Sequence, residues 1–249
     1  MRITETAIPG LLIIDLDVHG DNRGWFKENW QREKLTGLAP ELASFQPVQN
    51  NISFNHAGAT RGLHAEPWDK LISVAQGKIF GAWCDLREGS ESFGEVITHE
   101  IGPETAVFVP RGVANGFQAL EDTSYSYLVN EHWSAEARYA AVNLNIVDWP
   151  LEPTEISEKD KQHPDLAEVS PMPARRILVT GANGQLGRAL KRLLGDAEFC
   201  SHADFDITNP PERNWKQYST IINCAAYNDV NGAENDRAAA WAVNAEGPA

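Results

Sequence analysis

The chain has 249 residues, of which 42% are hydrophobic and 22% are charged, so it has the composition of a globular protein with one large domain or two smaller ones. Its formal net charge of -14 argues against nonspecific nucleic-acid binding, which depends on Lys and Arg neutralising phosphates. Three cysteines are too few and too scattered for a disulfide framework or a zinc site. The first residues lack the apolar stretch of a signal peptide, and no apolar run approaches membrane-spanning length. We therefore expect a cytoplasmic protein with no nucleic-acid or membrane partner.

Short alternating runs punctuated by Gly, Pro and Asn fill the chain up to about Trp149-Pro150, a pattern typical of a β-sandwich or small barrel. The runs that predict strands lie at 11–15, 70–77, 78–83, 96–100 and 106–110. Helical periodicity is limited to 31–35 and 135–139. Residues 158–173 are charged and then rich in proline, so we predict a domain over 1–160 and a linker over 161–174.

From residue 175 the pattern changes to that of an α/β protein. An apolar strand at 176–180 precedes a glycine-rich turn, and a helix at 188–194, strands at 198–200 and 221–224 and a helix at 233–245 follow. Strand, glycine turn and helix predict the opening of a doubly wound fold, so residues 175–249 are interpreted as a truncated Rossmann-like domain. Because such a fold usually has about six strands, we expect the natural protein to continue beyond Ala249.

The turn itself contains Gly181, Gly184 and Gly187 between a strand and a helix. In that context the first glycine permits the tight turn, the second lets backbone N–H groups approach a pyrophosphate, and the third allows close helix–strand packing. A plain glycine turn remains the simpler alternative. No acidic residue stands at the end of the second strand, near Ser201-His202, which permits NADP(H) without excluding NAD(H).

Several segments of this module resemble the N-terminal part of dTDP-4-dehydrorhamnose reductase, namely 177–187, Asp206-Ile207-Thr208, 222–227, Glu234 and Val243-Asn244-Ala245. The resemblance implies cofactor contacts from Gly181, Asn183, Gly184, Gln185, Leu186, Gly187, Asp206 and Ile207. It also implies a Tyr-x-x-x-Lys pair for hydride chemistry, and none follows Tyr227 in this sequence. We therefore expect no complete reduction by the chain as given.

The most informative stretch of the first module is Arg61-Gly62-Leu63-His64, followed by Lys70. Residues two apart share a face of a strand, so Arg61 and His64 need a bend between them, which Gly62 can supply. An imidazole with two cations predicts a site for an anionic substrate that loses a proton.

An ordered set of segments makes residues 21–160 resemble the dTDP-4-dehydrorhamnose 3,5-epimerase family, a cupin-like jelly-roll sandwich. The set is Asp21-x-Arg23-Gly24-x-Phe26-x-Glu28, Gln49-x-Asn51-x-Ser53, Arg61-Gly62-Leu63-His64, Lys70, Asp85-Leu86-Arg87, Pro110-x-Gly112, Gly116-Phe117, Trp149-Pro150 and Ser157-x-Lys159-Asp160. The resemblance implies a homodimer that converts dTDP-4-dehydro-6-deoxy-D-glucose to dTDP-4-dehydro-L-rhamnose, in dTDP-L-rhamnose biosynthesis. It implies no metal and no cofactor for this domain.

The resemblance also implies roles for individual residues. His64 is the general base that Asp160 orients, Lys70 stabilises the oxyanion, and Tyr127 returns the proton from the opposite face, with Tyr125 as the second choice. The implied substrate-binding residues are Arg23, Phe26, Glu28, Gln49, Asn51, Arg61 and Asn115. Simpler roles stay open, since His64 and Tyr127 could be packing residues and Arg61, Lys70 and Asp160 could be solvated charges.

Two departures from the family pattern bear on function. The family's Ala-His-Gly-Phe is Ala114-Asn115-Gly116-Phe117 here, and Asn115 cannot titrate. The family's His-Tyr-Gln is His64-Ala65-Glu66, so that Glu66 could pair with Lys70 or Arg61. Alternative functions are therefore a 3- or 5-monoepimerase and a noncatalytic module that binds or channels a nucleotide sugar. The absence of His-x-His spacing disfavours a metal-dependent cupin enzyme.

Overall fold

The computed structural model describes residues 1–135, 137–194 and 197–248, and the chain divides into two compact units, Met1–Pro173 and Ala174–Ala249. The first unit is built from antiparallel strands, which confirms the all-β prediction for the first module. Among the described residues, no helix is long and apolar enough to cross a membrane.

Short strands make up most of the first unit, as its punctuated sequence predicts. They are Arg2–Glu5 (β1), Leu12–Asp15 (β2), Val18–Asp21 (β3), Gly24–Lys27 (β4), Gln49–Asn55 (β5), Thr60–Ala65 (β6), Lys70–Gln76 (β7), Ile79–Asp85 (β8), Val96–Ile101 (β9), Thr105–Val109 (β10), Val113–Ala119 (β11), Thr123–Val129 (β12) and Ala140–Ala141 (β13). The helices are Arg32–Leu38 (α1) and Glu158–Lys161 (α2), with 3-10 turns at Pro40–Ser44, Leu144–Ile146 and Leu166–Glu168.

Two sheets form the sandwich, in the orders β1-β2-β10-β7-β12-β5 and β13-β6-β11-β8-β9. Apolar side chains from both sheets meet in one buried cluster, for example Ile72 and Val107 from the first sheet with Trp83 and Val113 from the second. Burying these side chains stabilises the fold by about 1.5–3 kcal/mol for each large one. This packed core therefore fixes the relative positions of β7, β11 and β12, the strands that carry several of the polar residues described below.

The register of the first sheet places polar residues in rows across three strands. Tyr127 on β12 lies opposite Ile72 on β7 and Asn51 on β5, and two rows further along, on the same face, Val129 lies opposite Lys70. Residues directly opposite each other share a face of an antiparallel sheet. Lys70, Tyr127 and Asn51 therefore project from the same face.

The segment predicted as a linker, 161–174, packs on the first unit as far as Pro173. Met172 is buried, and its N–H and C=O bond to the backbone of Leu86 and Glu88. This packing uses a 3-10 turn and single backbone bridges, which have no apolar periodicity, so it could not be predicted from a repeat in the sequence. The helix predicted at 135–139 was wrong for Ala135 and residues 137–139, which form turns and irregular backbone. Glu136 lies outside the described residues.

The second unit is a parallel sheet with short helices. Strands Arg176–Thr180 (β14), Glu198–Cys200 (β15) and Tyr218–Asn223 (β16) lie in the order β15-β14-β16. The helices are Gln185–Leu190 (α3), Val230–Asn235 (α4) and Arg237–Trp241 (α5), with further helical turns at Trp215–Gln217 and Ala242–Glu246. Its small core includes Leu178, Cys200, Phe205, Ile207 and Tyr218.

Candidate active site

A β-bulge in β6 brings Arg61 and His64 to the same cavity. The pairing of β6 with β11 shifts between Asn115, opposite His64, and Phe117, opposite Arg61, so two residues of β6 face one of β11. Gly62 sits in the bulge at φ +121°, and a Cβ there would lie 2.5 Å from the Cα of Gly116. The position therefore requires glycine, and the predicted bend at Gly62 is confirmed.

The short helix α2 fixes Asp160 beside this bulge. Ser157 caps α2 by accepting a hydrogen bond at 3.1 Å from the Asp160 amide. The Asp160 side chain, which is 6% exposed, then accepts a hydrogen bond from the Gly62 amide at 3.1 Å. The bulge and the cap together place one carboxylate in one orientation.

Asp160 and His64 form a hydrogen-bonded pair. Nε2 of His64 lies 2.8 Å from Oδ1 of Asp160, and the imidazole is 36% exposed to the cavity. Burial raises the pKa of Asp160, but the hydrogen bond and charge of His64 and the Gly62 amide outweigh it and lower that pKa to about 2. An ionised carboxylate only accepts hydrogen bonds, so Nε2 carries a proton and the other ring nitrogen is free to take one.

Lys70 and Tyr127 face this pair from the other sheet. The Lys70 side chain is 7% exposed, its ammonium pairs with Glu66, and it lies 5.1 Å from the centre of the Tyr127 ring. Burial and the Glu66 carboxylate raise the pKa of Tyr127, and Arg61 acts in the opposite direction. The arrangement offers a fixed cation and a protonated phenol on the side facing the imidazole.

Tyr125 also reaches the cavity, in a different environment. Its ring stacks on Phe117 with centroids 4.3 Å apart, and its hydroxyl accepts a hydrogen bond at 3.4 Å from the Asn115 amide. Only 3% of Tyr125 is exposed, and this burial raises its pKa strongly. Asn115 is therefore turned towards Tyr125 rather than towards His64, its neighbour across the strands.

These residues line a cavity of about 470 Å³ at one end of the sandwich. Arg61 belongs to it, and its Nε donates to Oδ1 of Asn55 at 2.7 Å. A second cavity of about 680 Å³ adjoins the first and shares four residues with it, Asn51, His64, Glu66 and Tyr127. Gln49 lines this second cavity and donates to Asn51 at 2.9 Å. The combined space suits a ligand with two parts.

Arg23, Phe26 and Glu28 are not brought to these cavities. Arg23 and Phe26 belong to the exposed β3–β4 hairpin, where the side chain of Arg23 is 90% exposed and pairs with Asp21. Phe26 is 65% exposed, and Glu28 pairs with Lys34. Within one copy of the chain, these three residues lie apart from His64, and neither cavity that contains His64 includes them.

Sequence reasoning missed two residues of the site. Asn55 orients Arg61 from another strand, and nothing in the sequence connects these two positions. The side chain of His163 is 7% exposed, with Nε2 3.8 Å from Oδ1 of Asp160, and its ring meets that of His64 edge to face at 5.0 Å. Its spacing of three residues from Asp160 on a helical turn was the available signal.

His163 also completes a group that could hold a metal. The donor atoms of His64, Asp160 and His163 lie within 4.8 Å of one another, and among the described residues this is the group with such spacing. Burial and the charge of His64 lower the pKa of His163, while Asp160 and the Gly62 backbone oppose the shift. The hydrogen bond between His64 and Asp160 accounts for two members of the group without a metal.

In the second unit, the glycine-rich turn follows β14. Gly181 has φ +68°, and a Cβ on it would lie 2.5 Å from the Ala225 amide nitrogen. A Cβ on Gly187 would lie 2.5 Å from the Gly181 carbonyl oxygen, so the close packing of α3 on the turn needs Gly187, while Gly181 is needed for the approach of the segment after β16. Asn183, Gln185 and Leu186 of this turn are exposed. Asp206 accepts from the amide and hydroxyl of Thr208, and Ile207 is buried.

Comparison with known proteins places this geometry in a family. Residues 5–168 match the family model of dTDP-4-dehydrorhamnose 3,5-epimerase, and residues 175–249 match that of the RmlD substrate binding domain. The chain belongs to the dTDP-4-dehydrorhamnose 3,5-epimerase family. It joins a module of that family to the N-terminal part of an RmlD-like module.

Individual relatives agree with the family assignment. The chain is 53% identical over 176 residues to the protein RmlC homolog of Streptococcus pyogenes serotype M6, covering 66% of this chain and 89% of the relative. It is 32% identical over 184 residues to dTDP-4-dehydrorhamnose 3,5-epimerase of Pseudomonas aeruginosa, and the match covers 70% of this chain and 100% of the relative. The solved structure of RmlC from Streptococcus suis in complex with dTDP-D-xylose matches with a TM-score of 0.64 and 50% sequence identity. The match covers 69% of this chain and 94% of that structure's chain.

Proposed function

We propose that the first unit is a nucleotide-sugar 3,5-epimerase that converts dTDP-4-dehydro-6-deoxy-D-glucose to dTDP-4-dehydro-L-rhamnose in dTDP-L-rhamnose biosynthesis. The observation that carries the proposal is the hydrogen-bonded His64–Asp160 pair, which faces Lys70 and Tyr127 across one cavity. This is the set of groups that inversion beside a ketone requires, namely a base, an oxyanion partner and an acid on the opposite face.

The chemistry follows from these positions. The free nitrogen of His64 removes the proton from the carbon next to the ketone, and the electrons of the broken C–H bond form the enolate. Lys70 stabilises the negative charge that develops on the ketone oxygen, while Asp160 stabilises the imidazolium. The hydroxyl of Tyr127 then gives its proton to the opposite face of the same carbon, and solvent restores both groups. The step needs no cofactor and no metal.

Arg61, Asn51, Gln49 and Asn115 supply the binding contacts in this proposal. A hydrogen bond to Asn55 orients the Arg61 guanidinium at the cavity, where it can form bidentate hydrogen bonds with the diphosphate. Asn51 and Gln49 extend from the sugar region into the second cavity, where the nucleoside lies. Asn115 contacts the sugar through an amide that cannot transfer a proton.

A homodimer would explain how Arg23, Phe26 and Glu28 can bind substrate although they lie outside the two cavities that contain His64. The β3–β4 hairpin is exposed, and Arg23 and Phe26 line neither of the two cavities that contain His64. Strand β5 is an edge strand next to that cavity, with Ile52 and Phe54 more than half exposed. In the dimer, the hairpin of a second copy brings Arg23 and Phe26 to the nucleotide, with Glu28 at its base, and the partner covers the edge strand.

The second unit is proposed to be the opening of a Rossmann-like NADP(H) or NAD(H) domain, with 1–160 as the epimerase domain, 161–174 joining the two and 175–249 as the truncated domain. Strands β15 and β16 flank β14 on opposite sides, so the crevice at the end of β14 lies beside Gly181. Gly181, Asn183, Gly184, Gln185, Leu186, Gly187, Asp206 and Ile207 are its proposed cofactor residues. The free thiols of Cys84, Cys200 and Cys224 suit the cytoplasm, where we place the protein.

Solvent exchange tests the epimerase. Incubation of the full chain with dTDP-4-dehydro-6-deoxy-D-glucose in D₂O should place deuterium at carbons 3 and 5, as measured by NMR and mass spectrometry. His64→Asn should slow exchange at both carbons by at least about a hundredfold, because the general base is removed. His99→Asn is the control, since His99 is exposed and lines neither cavity.

Other outcomes would reject the proposal or narrow it. Saturable binding of the nucleotide sugar without exchange would indicate a binding or channelling module instead. Exchange at one carbon alone would identify a 3- or 5-monoepimerase, an alternative favoured by Asn115, which stands where the family pattern has histidine.

A further inference from the structure

Glu66 is the acidic residue that the linings of both cavities share. It follows β6 directly, lines both cavities, and its side chain is only 15% exposed. Its carboxylate pairs with the ammonium of Lys70, which is 7% exposed. A buried ammonium without a partner raises the free energy of the folded protein. The Lys70 ammonium is therefore held where the Glu66 carboxylate can pair with it.

The pair is arranged around Tyr127. The Lys70 ammonium lies 5.1 Å from the centre of the Tyr127 ring, and Glu66 shares both cavities with that ring. A carboxylate near a phenol opposes loss of the phenolic proton, and Glu66 contributes to raising the pKa of Tyr127, second to burial. Glu66 acts in the same direction on Tyr125 and Tyr139.

The other charged and titratable groups around Tyr127 come from several elements. In the first cavity they are Arg61 and His64 from β6, Lys70 from β7, Tyr125 from β12, Glu155 and Asp160. In the second cavity they are Tyr139, Lys159 and His163. Of these groups, Arg61 lowers the pKa of Tyr127, so removal of Glu66 would leave the effect of that cation without the opposing charge of Glu66.

We propose that Glu66 is a positioning residue of the epimerase, which anchors the Lys70 ammonium where the ketone oxygen binds and keeps the Tyr127 hydroxyl protonated. The inference rests on the proposed function and deepens it. During enolate formation the sugar oxygen shares Lys70 with Glu66, so the cation is held in place before the substrate arrives and its side chain need not reorder.

The test is a pH profile of Glu66→Gln beside that of the wild-type full chain, with exchange and epimerisation measured from pH 6 to 11. Loss of the carboxylate should move the alkaline limb of kcat to lower pH by about one unit, because the phenol ionises more readily. It should also lower kcat by between about tenfold and a hundredfold, with a smaller change in KM, because Lys70 is no longer held. Glu66→Asp, which retains the charge, should keep the alkaline limb near its wild-type position.

The matched control is Glu155→Gln, which removes an exposed carboxylate from the rim of the same cavity. Its alkaline limb should stay at the wild-type pH, since solvent screens an exposed charge. A Glu66→Gln limb and kcat equal to those of the wild type would overturn the inference. An equal shift in Glu155→Gln would also overturn it, because the effect would then come from net charge alone.

A second measurement keeps the two proposals separate. Ultraviolet titration of the tyrosines, with Tyr127→Phe as the reference, should show Tyr127 ionising at lower pH in Glu66→Gln than in the wild type. If His64-dependent exchange is absent from the wild type, the proposed function fails, and this titration still tests the electrostatic role of Glu66. Suppose instead that the wild type shows exchange, but Glu66→Gln has the wild-type kcat, the wild-type alkaline limb and the wild-type pH of Tyr127 ionisation. In that case only the inference about Glu66 fails.

Discussion

The carboxylate of Asp160 joins His64 to the bulge of β6. One oxygen lies 2.8 Å from Nε2 of His64, and the other accepts the amide hydrogen of Gly62 at 3.1 Å. The backbone irregularity that turns His64 into the cavity therefore also supplies the donor that orients its partner. Because both oxygens are engaged, the imidazole has little freedom to rotate or to change tautomer.

Asp160→Asn tests this relationship. An amide at this position can donate towards Nε2 of His64, which favours the tautomer with its proton on the nitrogen needed as the base. We expect the rate of exchange to fall by between about a hundredfold and ten-thousandfold with little change in substrate KM. Steady-state kinetics would measure this. Asp148→Asn is the control, since Asp148 is exposed, and equal losses in both variants would contradict the prediction.

Tyr127 and Tyr125 give a second prediction with its own matched control. Tyr127→Phe removes the proposed acid, so epimerised product should fall by at least about a hundredfold, while proton abstraction by His64 continues. Tyr125→Phe removes a hydroxyl whose one hydrogen bond within the described residues comes from Asn115 at 3.4 Å, so it should lower the rate less than tenfold, as expected for about 1 kcal/mol. Chiral analysis of the product would measure both, and a larger loss in Tyr125→Phe would assign the acid to that residue instead.

Asp85 gives a prediction about stability and pH. It is fully buried and accepts hydrogen bonds from Arg87, Ser90 and Ser92, at 2.6–3.0 Å. Burial raises its pKa, but these donors outweigh burial and lower it to about 2. Asp85→Asn should lower the free energy of unfolding at pH 7 by about 2–4 kcal/mol.

The sign of the pH effect follows from the lowered pKa. The ionised form of Asp85 stabilises the folded state above the unfolded pKa of about 3.9, and this stabilisation is lost as the pH falls to about 2. The difference between wild type and Asp85→Asn should therefore be constant above about pH 5 and shrink towards pH 2. Urea unfolding at a series of pH values would measure it, and a difference that grows in acid would contradict the assignment.

Gly62→Ala and Gly89→Ala separate backbone strain from crowding. Both glycines have positive φ, +121° and +72°, but a Cβ on Gly62 would lie 2.5 Å from the Gly116 Cα, whereas Gly89 has open space. We expect Gly62→Ala to cost about 2–5 kcal/mol and to abolish exchange. Gly89→Ala should cost about 1–2 kcal/mol and keep its activity. Similar costs for the two variants would mean that contact with Gly116 does not matter.

The proposed dimer predicts complementation between two inactive variants. His64→Asn lacks the base, and Arg23→Ala combined with Phe26→Ala lacks the hairpin contacts. If the hairpin serves the site of a second copy, each mixed dimer contains one intact site, and mixing the variants with refolding should restore up to about a quarter of the wild-type activity. If the hairpin served its own copy, no mixture would recover activity.

Much of the first unit could be predicted, because its motifs depend on local geometry. The bend at Gly62 follows from the need to turn Arg61 and His64 to one side, and the structure contains it as a bulge. Sequence reasoning left Glu66 between two partners, Lys70 and Arg61. The structure pairs it with Lys70, because the connection from β6 to β7 is short and Asn55 already bonds Arg61.

Other features could not be predicted, because they depend on contacts without a sequence period. The run 161–173 has no apolar repeat, yet Met172 is buried against the first unit. The apolar and charged residues of 135–139 suggested a helix, but Tyr139 instead packs edge to face on Trp68 and donates its hydroxyl to Ser134. The proposed contacts of Arg23 and Phe26 with the nucleotide need a second copy of the chain, whose position the strands of a single copy do not determine.

The bulge in β6 also makes the cavity depend on whether the count of residues between Arg61 and His64 is odd or even. With the extra residue, both side chains face inwards, whereas a regular strand would send one of them to the opposite side. Deleting Leu63 would leave Arg61 and His64 two residues apart, a spacing that a regular strand also places on one face, so the bulge would no longer be needed to bring them together. The guanidinium and the imidazole therefore stay on one side of the strand only if the number of residues between them and the presence of the bulge change together.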